Sequence, residues 1–213
     1  MAAFGGGGIS PNYRNVMVYF DGTNFLLELG KFLGVRVDPH KPPLSVFKLG
    51  RALSDWIRNN AYGSVMVRRH WVGSYQGNGE DERRLLFASH EVGFQARILH
   101  KARDGPEKGV DMSLAIQMMA DAVNRNFHTG WLVTGDADYT ELVKEVKRYG
   151  TVVNGVFFKS ALSDALRLSC DEFYLLDNVL KEPQFTSTIQ EVKTEAEQNA
   201  KPPPKTSTAS PPP

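Results

Sequence analysis

With one cysteine, Cys170, in 213 residues, the chain cannot form an internal disulfide, which excludes a small scaffold stapled by bridges and favours a reducing compartment. Charge of one sign is lacking as well. The 25 Lys and Arg against 24 Asp and Glu leave a formal net charge of +1, so any surface for an anionic partner has to be local. No apolar run approaches the roughly 20 residues of a membrane helix, and no membrane partner is expected. The opening Met-Ala-Ala-Phe and Gly5 to Gly8 have neither the basic nor the apolar region of a secretory signal, so the expected location is cytoplasmic. The five histidines, His40, His70, His90, His100 and His128, are scattered without an HExxH spacing, which disfavours zinc.

Hydrophobic residues make up 41% of the chain, enough for one ordinary core with tails. Residues 1–14 are glycine-rich and bury little, so a flexible arm is expected there. From Lys181 the hydrophobic density falls, and the chain ends Lys-Pro-Pro-Pro-Lys-Thr-Ser-Thr-Ala-Ser-Pro-Pro-Pro. The expectation is a domain over residues 15–180 and a disordered Pro-rich tail over 181–213, interrupted at most by a short helix near 187–199.

Between the tails, apolar runs alternate with helical periodicity. Val16 to Phe20 is a continuous apolar run of the kind found in a strand covered on both faces. A helix follows near residues 25–33, and after a Pro-broken loop Val46, Leu49, Leu53, Trp56 and Ile57 recur at helical spacing. Further strands are expected to begin at Ser64 and to span 95–99, 131–134 and 152–158, with a helix before 95 marked by Leu85, Leu86, Ala88 and Val92. The spacing predicts the strongest helix over 111–127, with Met112, Ala115, Ile116, Met119, Ala122 and Val123 on one face. Leu142, Val143, Val146 and Tyr149 mark a helix closed by Gly150, and a last helix and strand fall at 162–168 and 173–176. Strands separated regularly by helices imply an α/β fold, a mostly parallel sheet with helices on both faces.

Four aspartates stand out against that frame. Asp21 directly follows the first strand and Asp136 follows the fourth by one glycine, which places both at the carboxyl edge where open α/β sheets bind ligands. Asp138 opens the next helix. Asp111 starts the long helix and reaches the same edge only if its loop folds over it. Carboxylates gathered at one point repel one another unless a cation is usually present, and oxygen-only ligands suit Mg²⁺ or Mn²⁺. Such an ion polarises a phosphoryl oxygen and lowers the pKa of bound water. The bland alternative is that Asp111 and Asp138 are helix N-caps, Asp138 pairing with Glu141 in a capping box. Other α/β chemistries fail on specifics. Asp21-Gly22-Thr23-Asn24 is neither Asp-x-Asp nor Asp-x-Ser-x-Ser, and no glycine-rich phosphate loop follows the first strand.

The motifs Tyr19-Phe20-Asp21-Gly22-Thr23-Asn24, Gly109-Val110-Asp111, Val133-Thr134-Gly135-Asp136-Ala137-Asp138-Tyr139 and Ser163-x-x-Leu166 leading to Asp171-x-Phe173 occur in this order. Together they resemble the NYN domains, LabA-like members of the PIN-like nuclease group, from about Val16 to Asp177. The resemblance implies a three-layer PIN-like sandwich and a Mg²⁺- or Mn²⁺-dependent ribonuclease that uses Asp21, Asp111, Asp136 and Asp138. By the same resemblance Asn24 orients a ligand or water, and Thr134 stands where the group commonly has serine. A non-catalytic RNA-binding or regulatory module on the same fold is the alternative. The stretches at residues 35–43 and 73–79 are less typical of the family and are expected to shape substrate choice.

RNA is the expected partner. Arg68, Arg69, Arg83, Arg84, Lys101, Arg103 and Lys108 form a candidate basic rim, with Lys108 and Lys159 the strongest phosphate-binding candidates. Trp71 and Tyr75 are candidates for stacking on bases. Asp171 and Cys170 are read as structural, and Met112, Met118 and Met119 as core or interface filler. A homo-oligomer is compatible with the sequence, and the Pro-rich tail offers a protein partner a docking segment.

Overall fold

The computed structural model describes residues 14–61, 63–102 and 109–200. Six strands, β1 Arg14–Asp21, β2 Ser64–Tyr75, β3 Gln95–His100, β4 Thr129–Val133, β5 Val152–Phe157 and β6 Glu172–Leu175, form one sheet in the order β3-β2-β1-β4-β5-β6. Every neighbouring pair is parallel. The helices are α1 Gly22–Leu33, α2 Ser45–Asn60, α3 Gly79–Glu91, α4 Val110–Val123, α5 Thr140–Lys147, α6 Asp164–Ser169, α7 Leu176–Val179 and α8 Thr186–Asn199. Strand order reverses between β1 and β4, so their carboxyl ends flank the crevice where this topology places ligands.

Strand parity divides the core in two. Val16, Val18 and Phe20 of β1 pack with Phe25 of α1, Phe47 of α2 and Trp71 of β2 on one face. Met17 and Tyr19 pack with Leu114 of α4 and Val143 of α5 on the other. Side chains alternate along a strand, so Asp21 continues the odd-numbered row toward α4 and α5. Trp131 and Val133 of β4 belong to the first face and Leu132 to the second, and Thr134 accordingly falls on the face that Asp21 shares. In β2 a register shift between Val16 and Met17 pairs Met17 with Arg68 instead of Val67. This bulge lets even-numbered Met66 and odd-numbered Trp71 pack on the same side of the sheet.

The termini of α1 follow local rules. Asp21 caps its start and Gly34, at φ 67°, ends it in the left-handed conformation that favours glycine. Gly150 likewise stands at φ 79° just beyond α5, as the sequence indicates. Asp171 has the structural role expected of it, accepting from Val153 N and pairing with Lys147 at 2.8 Å. Burial pushes the Cys170 thiol up to about 11, which keeps it protonated.

Several expectations need correction. Arg14 belongs to β1, not to the arm, and residues 1–13 and 201–213 lie outside the described residues. The stretch from Lys181 to Ala200 is not a disordered tail. Phe185, Val192 and Ala196 are buried in the first core, and α8 lies against α2. The Glu195 carboxylate accepts from Leu44 N at 2.7 Å, Ser45 N at 3.0 Å and Ser45 Oγ at 2.6 Å. Leu44 has no side-chain cap to offer, so α8 supplies the anion that satisfies the start of α2.

The buried face of α4 also differs from the expected one. Leu114, Met118 and Ala122 face the sheet, whereas Met112, Ile116 and Val123 are 65%, 58% and 50% exposed. The helix is apolar on nearly every side, so its pattern does not single out a face. Buried Asp121 gives it a polar anchor instead. It accepts from Tyr19 OH, Gln117 Nε2 and Asn126 Nδ2 and lies 3.4 Å from His70 Nε2. Among the described residues no helix is long and apolar enough to cross a membrane.

Candidate active site at the carboxyl edge of β1 and β4

Asp21 ends β1 with only 2% of its surface exposed. Its Oδ1 accepts from Asn24 N at 3.0 Å. Its Oδ2 lies 3.3 Å from the Thr134 and Tyr139 hydroxyls, both of which donate to it. Burial pushes the Asp21 carboxyl up to about 7, and the negative charge of Asp111 adds to the rise. The hydrogen bonds from Asn24 N, Tyr139 and Thr134 oppose it without cancelling it.

Tyr139 also lies 3.3 Å from Asp111 Oδ1. A phenol has one proton to donate, so this hydroxyl stands between two carboxylates and can satisfy one at a time. Burial and the two neighbouring carboxylates raise its own pKa strongly, which keeps it a donor. Asp111 reaches this point because α4 begins above the edge. Gly109, at φ 86°, is its cap residue and makes no side-chain cap bond. Asp111 lies within the first turn, so the capping explanation does not hold for it.

Thr134 ties the β4 side to Asp21. It is 2% exposed and accepts from Asp136 N at 3.2 Å while donating to Asp21. Asn24 crosses the crevice from α1, its Oδ1 accepting from Gly135 N at 3.2 Å. That oxygen therefore positions the β4 loop. Asp136 Oδ1 accepts from Asp138 N at 3.0 Å and caps the short 3₁₀ turn Ala137–Tyr139. Asp138 lies inside that turn and is exposed. The alternative of an Asp138–Glu141 capping box does not hold, because α5 begins at Thr140 with Tyr139 as its cap residue.

Two glycines let the backbones approach. A Cβ on Gly22 would come within 2.7 Å of Trp71 Cε2 and 2.9 Å of the Val72 carbonyl oxygen. One on Gly135 would run into the backbone of Ala161, 2.8 Å from its carbonyl carbon. Both strand ends can pass beneath these neighbours only without a side chain.

The edge thus joins Asp21, Asp111, Thr134, Tyr139 and Asn24 in one network, with Asp136 attached through its backbone and Asp138 on the rim. Among the described residues no three Asp, Glu, His or Cys side chains converge closely enough to hold a metal as they stand. Lys159 follows β5 at the same edge, exposed, and its N–H donates to Asp177. Lys108 lies outside the described residues. Arg68 and Arg69 do not rim the edge, since they pair in register with Met17 and Val18, upstream of Asp21, and Arg69 bonds Asp55. Trp71 and Tyr75 are buried, Trp71 against Phe20 and Tyr75 with its hydroxyl on Glu82, so neither is a stacking platform.

Tyr139 had no role in the sequence reading, although an aromatic residue bearing a hydroxyl directly after Asp138 was the available signal. Glu28 was missed too. It is buried on α1, one turn beyond Asn24, and its carboxylate takes the Ser160 hydroxyl and pairs with Lys31.

The NYN domain model matches residues 15–177. A crystal structure of a Vibrio parahaemolyticus protein of unknown function is similar in fold, with a TM-score of 0.56 at 18% identity over 79% of this chain and 96% of that one. No curated protein matches the chain.

Proposed function

Because the chain belongs to the NYN domain family of the PIN-like nuclease superfamily, which points to a nuclease-type hydrolase, we propose that it is a metal-dependent ribonuclease centred on Asp21 and Asp111. One observation carries this reading. Asp21 is a buried carboxylate with no Lys or Arg partner among the described residues, yet it is held in place by Asn24, Thr134 and Tyr139 and faces Asp111. Burying an uncompensated carboxylate is costly, and a cation between the pair would remove that cost.

The donor set fits a hard divalent ion. Mg²⁺ is commonly held by one or two carboxylates, with waters and substrate phosphates completing its shell. Asp21 and Asp111 would hold it, and Asp136 and Asp138 would meet its waters or the substrate from the rim. When bound, Mg²⁺ or Mn²⁺ supplies Lewis-acid polarisation of the phosphoryl oxygen and a more acidic water. Tyr139 and Thr134 fix the Asp21 oxygens through their hydroxyls. Asn24 holds Gly135, and with it the start of the loop bearing Asp136. Lys159 stands where a cation can meet a substrate phosphate.

A second reading, a non-catalytic RNA-binding module, is favoured by the Asp136 carboxylate, which is engaged with the Asp138 N–H. One assay separates the two. Single-stranded, structured and duplex RNA are incubated with the protein in Mg²⁺, Mn²⁺ or EDTA, beside Asp21→Asn and Asp136→Asn. The enzyme reading expects metal-dependent cleavage that both variants abolish. Binding with no cleavage in either metal would leave the module, and cleavage surviving in EDTA or in both variants would place the activity elsewhere.

A further inference from the structure

The two segments singled out as untypical, residues 35–43 and 73–79, meet in space. Gln76 N donates to the His40 carbonyl at 2.8 Å, and His40 Nδ1 lies 2.6 Å from Ser74 Oγ. Together with α3 and the end of α8 they enclose a cleft of about 530 Å³ over Pro42, Pro43 and Leu85.

Its charges divide into two kinds. The carboxylates are committed to backbone donors: Asp38 accepts from His40 N, Asp81 from Asn78 N at the start of α3, and Glu195 from Leu44 N and Ser45 N at the start of α2. Two of the three thus offset helix N-termini, which carry partial positive charge. Arg36, Lys41 and Arg84 line the same cleft, are exposed, and enter no ion pair among the described residues. Exposed guanidinium and ammonium groups converging on a concavity, with the local carboxylates already occupied, form a receptor for an anion with several phosphates.

The cleft lies along the path out of the acidic site. β2 is the parallel neighbour of β1, with Val72 opposite Asp21. Ser74 to Gln76 stand two to four residues beyond Val72, about 7–13 Å further at roughly 3.3 Å per residue. A cavity of this volume is the size that encloses a small ligand, which suits one or two nucleotides of a single strand better than the convex side of a duplex.

We infer that Arg36, Lys41 and Arg84 hold backbone phosphates of a single RNA strand outside the bond to be cut, in the cleft between the α1–α2 and β2–α3 loops. The inference rests on the ribonuclease reading for its ligand, but its test does not depend on turnover. Binding of a fluorescein-labelled oligouridylate of about twelve nucleotides, within the span of single-strand surfaces, is measured by anisotropy in EDTA across a salt series. The proteins are wild type, Asp21→Asn, and the combined Arg36→Gln, Lys41→Gln, Arg84→Gln variant.

Each neutralised phosphate contact contributes about 0.7 to the slope of log affinity against log salt for single strands, so the triple variant should lose about 2 from that slope. It should also bind at least about tenfold more weakly at low salt, with an unchanged melting temperature, because all three side chains are exposed. Asp21→Asn should bind as wild type does. If cleavage is found, the triple variant should raise KM for the long strand and leave kcat, and the cleavage of a dinucleotide, unchanged. A wild-type slope in the triple variant, or no binding by wild type, overturns the cleft whatever the outcome for cleavage. Slope loss as expected, with no cleavage by wild type in Mg²⁺ or Mn²⁺, keeps the cleft and overturns the ribonuclease reading.

Discussion

Tyr139 stands 3.3 Å from Oδ2 of Asp21 and places a donor against a carboxylate that has almost no access to water. The same hydroxyl is equally close to Asp111, so one phenol sets the relation between an acid that ends β1 and an acid in the first turn of α4. Tyr139→Phe keeps the ring and removes this bridge. Stability should fall by about 1–3 kcal/mol, the range for a buried hydrogen bond to a charged group. Cleavage should fall with it, while Tyr139→Trp, which also lacks a hydroxyl, should not restore it. Denaturant melts and rates measured on both variants check this. Cleavage at the wild-type rate in Tyr139→Phe would show that the bridge does not set the geometry of the acids.

The Asp21 carboxyl has a sign that titration can read. Its pKa rises from 3.8 to about 7 on folding, so the fold holds this proton more tightly than the unfolded chain does. Its contribution to stability is fully present below the unfolded value and is lost as the pH rises through about 7. Asp21→Asn carries no such proton. In EDTA the variant should gain on wild type between about pH 5 and about pH 8 by about 3 kcal/mol, from about 1.4 kcal/mol per pH unit over the two units below the folded value of about 7. Melting curves at both pH values test it. A difference that does not change with pH would mean that Asp21 is already ionised in the fold.

Helix α8 belongs to the domain and should behave so. Truncation after Leu180 removes Phe185 and Val192 from the core, at a cost of about 3–6 kcal/mol for two fully buried apolar side chains. Glu195→Ala, which strips the start of α2 of its acceptor, should cost about 1–2 kcal/mol. Chemical denaturation of both variants measures this, and an unchanged midpoint after truncation would show that α8 contributes nothing to the fold's stability.

Gly22 allows β1 to pass beneath Trp71. Gly22→Ala inserts a methyl where the nearest carbon is 2.7 Å away, and overpacking of this kind costs about 1–3 kcal/mol. Trp71 fluorescence should shift with the melt, because the indole has to move. A variant as stable as wild type with an unshifted spectrum would show that the turn has room to spare.

The sheet was legible because Val16 to Phe20 and the later apolar runs can hardly be anything but covered strands, and Asp21 and Asp136 inherit their places from strand ends. Asp111 was harder, since its approach depends on how the chain returns from β3. Asp136 reads as a turn residue as readily as a ligand, so its acceptor role within its own turn could not be told from a place in the acidic cluster by sequence. Helix α4 misled because Met112, Ile116 and Val123 share its apolar character with the residues that are truly buried. The helix near 187–199 was expected and is α8, but its docking on the core hid behind its charges, although Ile189, Val192 and Ala196 recur at the spacing of one helix face. The Arg36, Lys41 and Arg84 cleft needed three separate segments to meet, and no local pattern announces that.

The bulge at Val67 has a consequence for tolerance to insertion and deletion. Upstream of it β2 sends its even-numbered side chains toward Phe47 and α2, and downstream it sends the odd-numbered ones there. The one extra residue thus works as a phase inverter between the frame of the sheet and the frame of the site. Deleting Val67 would remove only the extra residue and leave Met66, Arg69 and Trp71 opposite Val16, Val18 and Phe20 on an unbroken strand, so the faces would be kept. A deletion beyond Trp71, where no spare residue can be drawn in, would instead exchange the faces of the residues that follow it. A single-residue deletion scan through β2 should therefore show its smallest loss at Val67, the one place where the strand has a residue to give.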